Sequence, residues 1–262
     1  MYSTLVEAFR EAPKDPVYIP LFSSPLAAII IVLIYLLLIF KIGPDFMECR
    51  KPLNVTSAML KYNIFQIVIN GIMFGLGCYY LFVKRVYDVR CLEAMPLDHP
   101  GKNEDRLVVY IYFLNKVLDL CDTLFFVLRK SYKQITVLHV YHHALMVLGV
   151  PITYYFYGSS GPYLLMGYIN SLVHVVMYGY YYAAALYPGV RDKLWLKKSI
   201  TTMQIVQFII LFSHAAVTWL LNKKCSVPGF MHFVELIVAI SMIVMFGNFY
   251  YQTYCRAKSK SN

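Results

Sequence analysis

Three histidines within five residues give this sequence its clearest chemical signal: His139, His142 and His143. Positions i, i+3 and i+4 of a helix lie on one face, so the three imidazoles share that face. An imidazole can act as a base, as a nucleophile or as a metal ligand. The run lies in a strongly apolar segment, where polar side chains are costly and are expected to serve function. We therefore take this histidine box as the candidate catalytic group.

Three further apolar segments carry polar residues at helical spacing. Within each set the residues recur mostly three or four positions apart, so each set forms a stripe on its helix. In a membrane, such a stripe must face protein or a water-filled cavity. The three stripes are Lys116, Asp119, Asp122 and Thr123; Asn170, His174, Tyr178 and Tyr181; and Thr201, Gln204, Gln207 and His214.

Two kinds of chemistry compete for the histidine box. Clustered neutral imidazoles can bind iron or zinc. Alternatively, one imidazole serves as nucleophile or base, and a neighbouring carboxylate orients it. A membrane di-iron oxygenase needs several histidine boxes, but the chain has seven histidines, of which His99 and His232 lie outside the predicted polar pocket. We favour metal-free catalysis without a cofactor, and a mononuclear metal site stays open.

The composition indicates that helices in a membrane position these groups. Of 262 residues, 59% are hydrophobic and 15% are charged, against about 25% charged in soluble proteins. Seven apolar runs are each near the ~20 residues that a membrane-spanning helix needs. They predict an all-α, polytopic membrane protein in which residues 1–262 form one integral-membrane domain. The predicted spans cover residues 25–40, 58–83, 107–128, 135–156, 162–187, 199–221 and 230–254.

The placement of lysine and arginine predicts the orientation of these spans. Connections that follow the odd-numbered spans carry a modest excess of basic residues, which favours the cytosolic side for them. The N-terminus is then outside or in a lumen, and the C-terminus is cytosolic. Lys258 and Lys260 in the tail 255–262 match the KxKxx form of an endoplasmic-reticulum retrieval signal. A plain basic juxtamembrane tail is the alternative.

The polar stripes are predicted to meet in the cytosolic half of the membrane. At about 1.5 Å per residue, Asp122, His142 and Gln204 lie ~10, ~13 and ~9 Å below the cytosolic edge. The net charge is +10, and its basic residues lie between the apolar runs. We expect a polar pocket with a basic mouth and an apolar chamber beyond it, which suits an acyl-CoA rather than a nucleic acid. The basic residues at the mouth are Lys130, Lys133, Arg191, Lys193, Lys197 and Lys198.

The placement of cysteines predicts one disulfide. Of six cysteines, only Cys91 and Cys225 fall in connections on the luminal side. Disulfides persist in oxidising compartments and are rare in the cytosol. We therefore expect a Cys91–Cys225 bridge between the loop after the second span and the loop after the sixth.

The motifs resemble those of the ELO family of very-long-chain fatty acid elongases, and the likeness covers nearly the whole chain. The family's HxxHH box matches His139–His143, and its KxxExxDT box matches Lys116–Thr123. Its NxxxHxxMYxYY box matches Asn170–Tyr181, and its TxxQxxQ box matches Thr201–Gln207. One departure is Asp119, where the family usually has a glutamate, so this carboxylate is one methylene shorter.

The resemblance implies a 3-oxoacyl-CoA synthase of the endoplasmic reticulum. Such an enzyme joins malonyl-CoA to a long- or very-long-chain acyl-CoA and releases CO2 and CoA. Six of its seven helices are expected to enclose a narrow substrate tunnel that is closed at the luminal end. A ketoacyl reductase, a dehydratase and an enoyl reductase are implied as partners. The acyl chain length and a homo-oligomeric state stay open.

A two-step mechanism is consistent with these residues. We expect His142 to attack the acyl thioester and form an acyl-imidazole, while His139, Asp122 or both orient its ring. His143 is either catalytic or supporting. Loss of CO2 from malonyl-CoA then supplies an enolate, so the site needs positioning and charge stabilisation. The candidates for binding the malonyl carboxylate or the enolate oxygen are His174, Asn170 and Gln204.

Two expectations complete this interpretation. Lys116, Asp119 and Tyr178 are predicted to line the substrate site, because each belongs to a polar stripe.

A seven-span receptor or transporter is the competing class of protein. The sequence lacks the Gly- or Pro-broken helix pairs in two matching halves that are typical of many transporters.

Overall fold

The computed structural model describes residues 15–159, 161, 163–222 and 224–256. These residues form helices and their connections, and the β-type pairing among them is an isolated bridge between Asp88 and Cys91. The predicted all-α class is therefore confirmed for the described residues. The predicted retrieval signal, Lys258 and Lys260, lies outside them.

The longer helices follow the predicted apolar runs. π-helical turns occur within or at the end of three of them, at Leu38–Ile42, Tyr79–Val83 and Tyr251–Cys255. The helices run over Pro25–Met47 (α1), Thr56–Val83 (α2), Lys102–Asp119 (α3), Cys121–Leu128 (α4), Val137–Tyr157 (α5), Tyr163–Leu186 (α6), Leu194–Leu221 (α7) and Gly229–Cys255 (α8).

Among the described residues, four helices are long and apolar enough to cross a membrane: α1, α2, α7 and α8. The chain is thus a multi-pass membrane protein. Helices α3 to α6 carry three of the four polar boxes, and polar residues lower their hydropathy. Membrane crossing by these helices, and with it the count of seven spans and the tunnel, stays a prediction.

Two helix boundaries differ from the predicted spans in ways that affect the boxes. The third predicted span begins at Lys102 rather than Leu107 and is interrupted at Leu120, which separates α3 from α4. The fourth begins at Val137 rather than Ile135, because Thr136 has an extended backbone and caps the helix. The intervening chain forms a single 3₁₀ turn, Tyr132–Gln134.

The chain divides into two compact units. Among the described residues, the histidine-box unit comprises 15–62 and 96–159, and so contains α1, the start of α2, and α3 to α5. The disulfide unit comprises 63–95 and the described residues from 161 to 256, and so contains the rest of α2 and α6 to α8. A single integral-membrane domain over the whole chain stays a prediction.

Aromatic packing and one close helix approach hold the histidine-box unit together. The Phe22 ring is fully buried, 5.4 Å from the Phe113 ring and 4.4 Å from the Tyr154 ring. Tyr154 Oη donates to the Val17 carbonyl at 3.0 Å, so the segment before α1 is tied to α5. A Cβ at Gly43 would lie 2.8 Å from Val127 Cγ1, so only glycine allows α1 to approach α4 this closely.

The disulfide unit is closed at one end by its loops. Cys91 and Cys225 form a disulfide with a Cα–Cα distance of 5.5 Å, within the normal range. Asn222 Nδ2 donates to the Arg90 carbonyl at 3.1 Å, which fastens the same loop to the end of α7. Residues of this loop and of the ends of α2 and α6 form a buried hydrophobic cluster. Its members are Leu81, Tyr87, Leu92, Met95, Leu164 and Tyr168.

Candidate active site

The histidine box lies at the start of α5. Thr136 Oγ1 accepts the backbone N–H of His139 at 3.2 Å and so satisfies one of the free donors of the first turn. The predicted depth of ~13 Å for His142 requires residues 133–136 to be helical. Because the helix begins at Val137, His142 is only about 7 Å along the helix axis from its first residue.

The three imidazoles form one cluster in which His143 touches the other two rings. Its ring centroid is 4.3 Å from that of His139 and 5.5 Å from that of His142. His143 is 6% exposed, whereas His139 and His142 are partly exposed. Burial between the two rings favours a supporting role for His143, and the more accessible His142 is the better candidate for contact with substrate.

Thr123 connects the histidine box to α1. Its Oγ1 lies 2.8 Å from His139 Nε2 and 2.9 Å from Tyr35 Oη. Thr123 is fully buried and Tyr35 is 3% exposed. His139 is one of the two groups predicted to orient His142. The hydroxyl group of Thr123 thus holds the His139 ring in turn. Tyr35 was not predicted, because a tyrosine in an unbroken apolar run is more typical of packing or of the membrane interface.

A buried ion pair lies on α3, next to the break in the helix. Lys116 Nζ is 2.8 Å from Asp119 Oδ2, and both side chains are at most 3% exposed. The ammonium group also lies 5.1 Å from the centre of the Tyr112 ring. Lys116 is within electrostatic range of His142, so it contributes positive potential at the histidine box. Asp122, on α4, is partly exposed.

The other predicted polar residues belong to the disulfide unit. Asn170, His174 and Tyr178 are each at most 3% exposed and lie on one face of α6. The His174 and Tyr178 rings meet edge to face at 5.5 Å. Gln204 Nε2 donates to Met177 Sδ at 3.7 Å, which joins this part of α6 to α7. The grouping of these side chains with the histidine box stays a prediction.

Three of the six basic residues of the predicted mouth are solvent-exposed, and the other three are partly exposed. Lys130 Nζ donates to the Glu48 carbonyl at 3.1 Å, within the histidine-box unit. Arg191 Nε is 3.7 Å from Asp192 Oδ1 in an exposed pair, which contributes little to stability. Lys133 and Lys193 are exposed, and Lys197 is partly exposed in the first turn of α7.

Sequence reasoning missed a polar stripe on α2. Asn63, Gln66 and Asn70 are at most 3% exposed, in a helix whose length and composition suit a membrane. Asn70 Nδ2 donates to both Oε1 and the carbonyl of Gln66, each at 2.8 Å. Asn63 Nδ2 is buried without a hydrogen-bond partner. The i, i+3, i+7 spacing was the available signal, the same signal that revealed the other stripes.

Two further predicted groups have structural contacts in the disulfide unit. His214 Nε2 donates to the Val89 carbonyl at 2.7 Å and holds the loop that carries Cys91. His232 and Glu235 lie one turn apart and nearly fully buried, with Nδ1 and Oε2 4.0 Å apart. These contacts favour structural roles for His214 and for the pair.

One group among the described residues has the spacing of a metal site, but its chemistry does not fit. Cys91, Glu93 and Cys225 place ligand-type atoms within 4.8 Å of one another. The two sulfurs are bonded to each other, and metal sites use the thiolate form of cysteine. Glu93 Oε1 instead accepts the backbone N–H of Ser226 at 3.0 Å.

Comparison with known proteins identifies the family of the chain. A family model described as ELO: GNS1/SUR4 family matches residues 20–262. The chain belongs to the ELO family. It is 41% identical over 254 residues to very long chain fatty acid elongase F of Drosophila simulans, covering 96% of each chain. It is 33% identical to very long chain fatty acid elongase 7 of Drosophila melanogaster, covering 92% of this chain and 72% of the relative.

A mammalian ELO-family relative is more distant but similarly aligned. The chain is 31% identical over 246 residues to very long chain fatty acid elongase 4 of Homo sapiens. The alignment covers 91% of this chain and 74% of the human protein. All four polar boxes thus lie within the region matched by the family model, since residues 116–207 fall inside 20–262.

Proposed function

We propose that the chain is a condensing enzyme of fatty acid elongation, a very-long-chain 3-oxoacyl-CoA synthase. It converts a long- or very-long-chain acyl-CoA, malonyl-CoA and one proton into 3-oxoacyl-CoA, CO2 and CoA. The observation that carries the proposal is the single ring cluster formed by His139, His142 and His143 in a chain of the ELO family. Both fly relatives are named very long chain fatty acid elongases, which agrees with this reaction class.

In the first step, a ring nitrogen of His142 attacks the acyl carbonyl carbon. A C–N bond forms, the C–S bond breaks, and the proton of the other ring nitrogen passes to the departing CoA thiolate. His142 suits this role because it is partly exposed, while His143 is buried and His139 Nε2 is hydrogen-bonded to Thr123. Asp122 is a second group that would orient the reacting imidazole.

In the second step, malonyl-CoA loses CO2 and the resulting enolate carbon attacks the acyl-imidazole carbonyl. The C–N bond breaks, and the released imidazole takes up a proton. Decarboxylation generates the nucleophile without a strong base, so the site mainly provides positioning and charge stabilisation. His174, Asn170 and Gln204 supply N–H donors suited to a carboxylate or an enolate oxygen.

Binding of the CoA substrates is assigned to basic and polar side chains. Exposed lysines and arginines suit the phosphates of CoA, which favour cationic partners. The buried polar residues Lys116, Asp119 and Tyr178 are proposed to contact the substrates, and no cofactor beyond the two CoA substrates is proposed. The proposed phosphate-binding residues are Lys130, Lys133, Arg191, Lys193 and Lys197.

The proposed setting is the endoplasmic-reticulum membrane, with the N-terminus in the lumen and the C-terminus in the cytosol. Lys258 and Lys260 would act there as the retrieval signal. The 3-oxoacyl product must be reduced, dehydrated and reduced again to give a saturated chain. A ketoacyl reductase, a dehydratase and an enoyl reductase are therefore the proposed partners, and six helices are proposed to enclose the acyl chain in a tunnel.

The direct test uses purified full-length protein with a long-chain acyl-CoA and malonyl-CoA labelled at its methylene carbon. The proposal predicts label in a 3-oxoacyl-CoA that is two carbons longer, with one CO2 and one CoA released per turnover. His142→Ala should abolish both products, and the exposed variant Lys41→Ala should retain them. A product that gains a double bond only when iron and O2 are added would instead support an oxygenase.

A further inference from the structure

A chain of two hydrogen bonds crosses three helices of the histidine-box unit and ends at the histidine box. Tyr35 on α1 is 2.9 Å from Thr123 on α4, and Thr123 is 2.8 Å from Nε2 of His139 on α5. Thr123 is fully buried and Tyr35 is 3% exposed. Since 88 residues separate Tyr35 from Thr123, tertiary packing rather than local sequence builds this contact.

The available protons determine the direction of the two bonds. Thr123 has one hydroxyl proton and can donate it to only one of its two partners. If it donated to Tyr35, the phenolic proton of Tyr35 would have no acceptor in this contact, although buried hydroxyl groups normally find one. The favoured order is therefore Tyr35 to Thr123, and Thr123 to His139 Nε2.

We propose that Tyr35 is a positioning residue for the condensation reaction and acts on His139 through Thr123. The two bonds hold His139 as the tautomer protonated on Nδ1, with Nε2 accepting from Thr123. Its ring is thereby fixed against His143, at 4.3 Å between centroids, and His143 in turn meets His142. Because the lone pair of His139 Nε2 accepts the hydrogen bond from Thr123, this nitrogen is not free to attack the thioester. His142 is then the imidazole that carries the acyl group. This inference rests on the proposed function.

The kinetic test compares Tyr35→Phe with wild type in the steady-state condensation of a long-chain acyl-CoA with malonyl-CoA. Phenylalanine keeps the ring packing and removes only the hydroxyl. We expect kcat to fall about tenfold, the effect of one lost orienting hydrogen bond, while KM for acyl-CoA stays within about twofold. Tyr132→Phe, the same change at an exposed position of the same unit, should leave both constants unchanged.

Variants at Thr123 test whether Tyr35 acts through this hydroxyl. Thr123→Ser keeps the hydroxyl and should retain most of the activity. Thr123→Val removes it and should reduce kcat at least as much as Tyr35→Phe does. Adding Tyr35→Phe to Thr123→Val should then cause no further loss, because the chain is already broken. Multiplicative losses in the double variant would overturn the proposal, as would an unchanged kcat in Tyr35→Phe.

Nitrogen NMR of histidine-labelled protein in lipid nanodiscs gives a readout that does not require activity. The signals of His139 are those that disappear in His139→Gln. We expect wild type to show a protonated Nδ1 and a bare Nε2, and Tyr35→Phe to show a mixture of both tautomers. A protonated Nε2 in wild type would overturn the proposal. If the tautomer depends on Tyr35 but the protein makes no 3-oxoacyl-CoA, the proposed function fails and the positioning role stands.

Discussion

The two units treat their buried polar groups differently. In the histidine-box unit, several such groups are bonded to one another across and along helices, as in the chain from Tyr35 to His139 and the Lys116–Asp119 pair, although Arg129 Nε is buried there without a hydrogen-bond partner. In the disulfide unit, the cross-links lie at the loop end, where Cys91 joins Cys225. Within its helices, several buried polar atoms have no hydrogen-bond partner: Asn63 Nδ2, Gln207 Oε1, both ring nitrogens of His232 and both carboxylate oxygens of Glu235.

This difference indicates which part of the molecule is preorganised. Hydrogen bonds that already exist in the protein fix the His139 ring of the candidate catalytic box without help from a substrate, and a preorganised group needs no rearrangement during reaction. Buried donors and acceptors without partners are unfavourable unless water or a ligand satisfies them. The histidine box is thus preorganised at His139, whereas more of the buried polar atoms in the helices of the disulfide unit have no hydrogen-bond partner.

The largest expected effect on stability comes from the ion pair of the histidine-box unit. Lys116→Met leaves the Asp119 carboxylate buried without its cation, which should reduce the free energy of unfolding by about 3–5 kcal/mol. The measurement is unfolding by titration with denaturing detergent. Lys41→Met is the matched control, because Lys41 and Asp45 form an exposed pair at 3.0 Å and its loss should cost under about 1 kcal/mol. Equal losses would remove the contrast between a buried network and a surface pair.

The second prediction concerns the loop end of the disulfide unit. Replacing Cys91 and Cys225 together by alanine should reduce the free energy of unfolding by about 2–4 kcal/mol, because the bridge restricts the unfolded chain. The histidine tautomers, by contrast, should stay as in wild type. Cys49 and Cys255 are exposed and free, so their double alanine variant is the control and should unfold like wild type. An altered His139 tautomer in the disulfide variant would contradict this expectation.

The smallest expected effect separates paired from unpaired amides within the disulfide unit. Asn63→Leu removes a buried donor that has no partner, so stability should be unchanged or rise by up to about 1 kcal/mol. Asn222→Leu is the matched comparison and should lose about 1 kcal/mol, because Asn222 Nδ2 donates to the Arg90 carbonyl. A large loss in Asn63→Leu would mean that a bound molecule satisfies this amide, and the comparison of the units would then have to be revised.

Periodicity and spacing predicted most of the helices and the histidine cluster. The hydropathy of an apolar run is an average over many residues, so it tolerates local irregularity, and helices α2 and α8 lie within two residues of the predicted bounds. Helix α1 extends to Met47 rather than residue 40, and α7 begins at Leu194 rather than residue 199. The face shared by His139, His142 and His143 follows from helix geometry alone. The pairing of Cys91 with Cys225 followed from compartment chemistry, and the structure contains that bond.

The sequence could not predict features that depend on tertiary contacts. Tyr35 binds a hydroxyl 88 residues away, and nothing in an apolar run marks one tyrosine as different from its neighbours. The break at Leu120 places Asp119 and Asp122 on separate helices and needs no proline or glycine. The stripe of Asn63, Gln66 and Asn70 was predictable, because its spacing obeys the rule used for the other boxes.

The most direct test of the account asks which side chain carries the acyl group. Purified protein is mixed with a long-chain acyl-CoA and no malonyl-CoA, and the released CoA and the acylated peptides are quantified. The account predicts about one CoA per active protein, an acyl group on His142, and neither in His142→Ala. Undiminished CoA release from His142→Ala, or an acyl group found on His139 or Cys121, would contradict it.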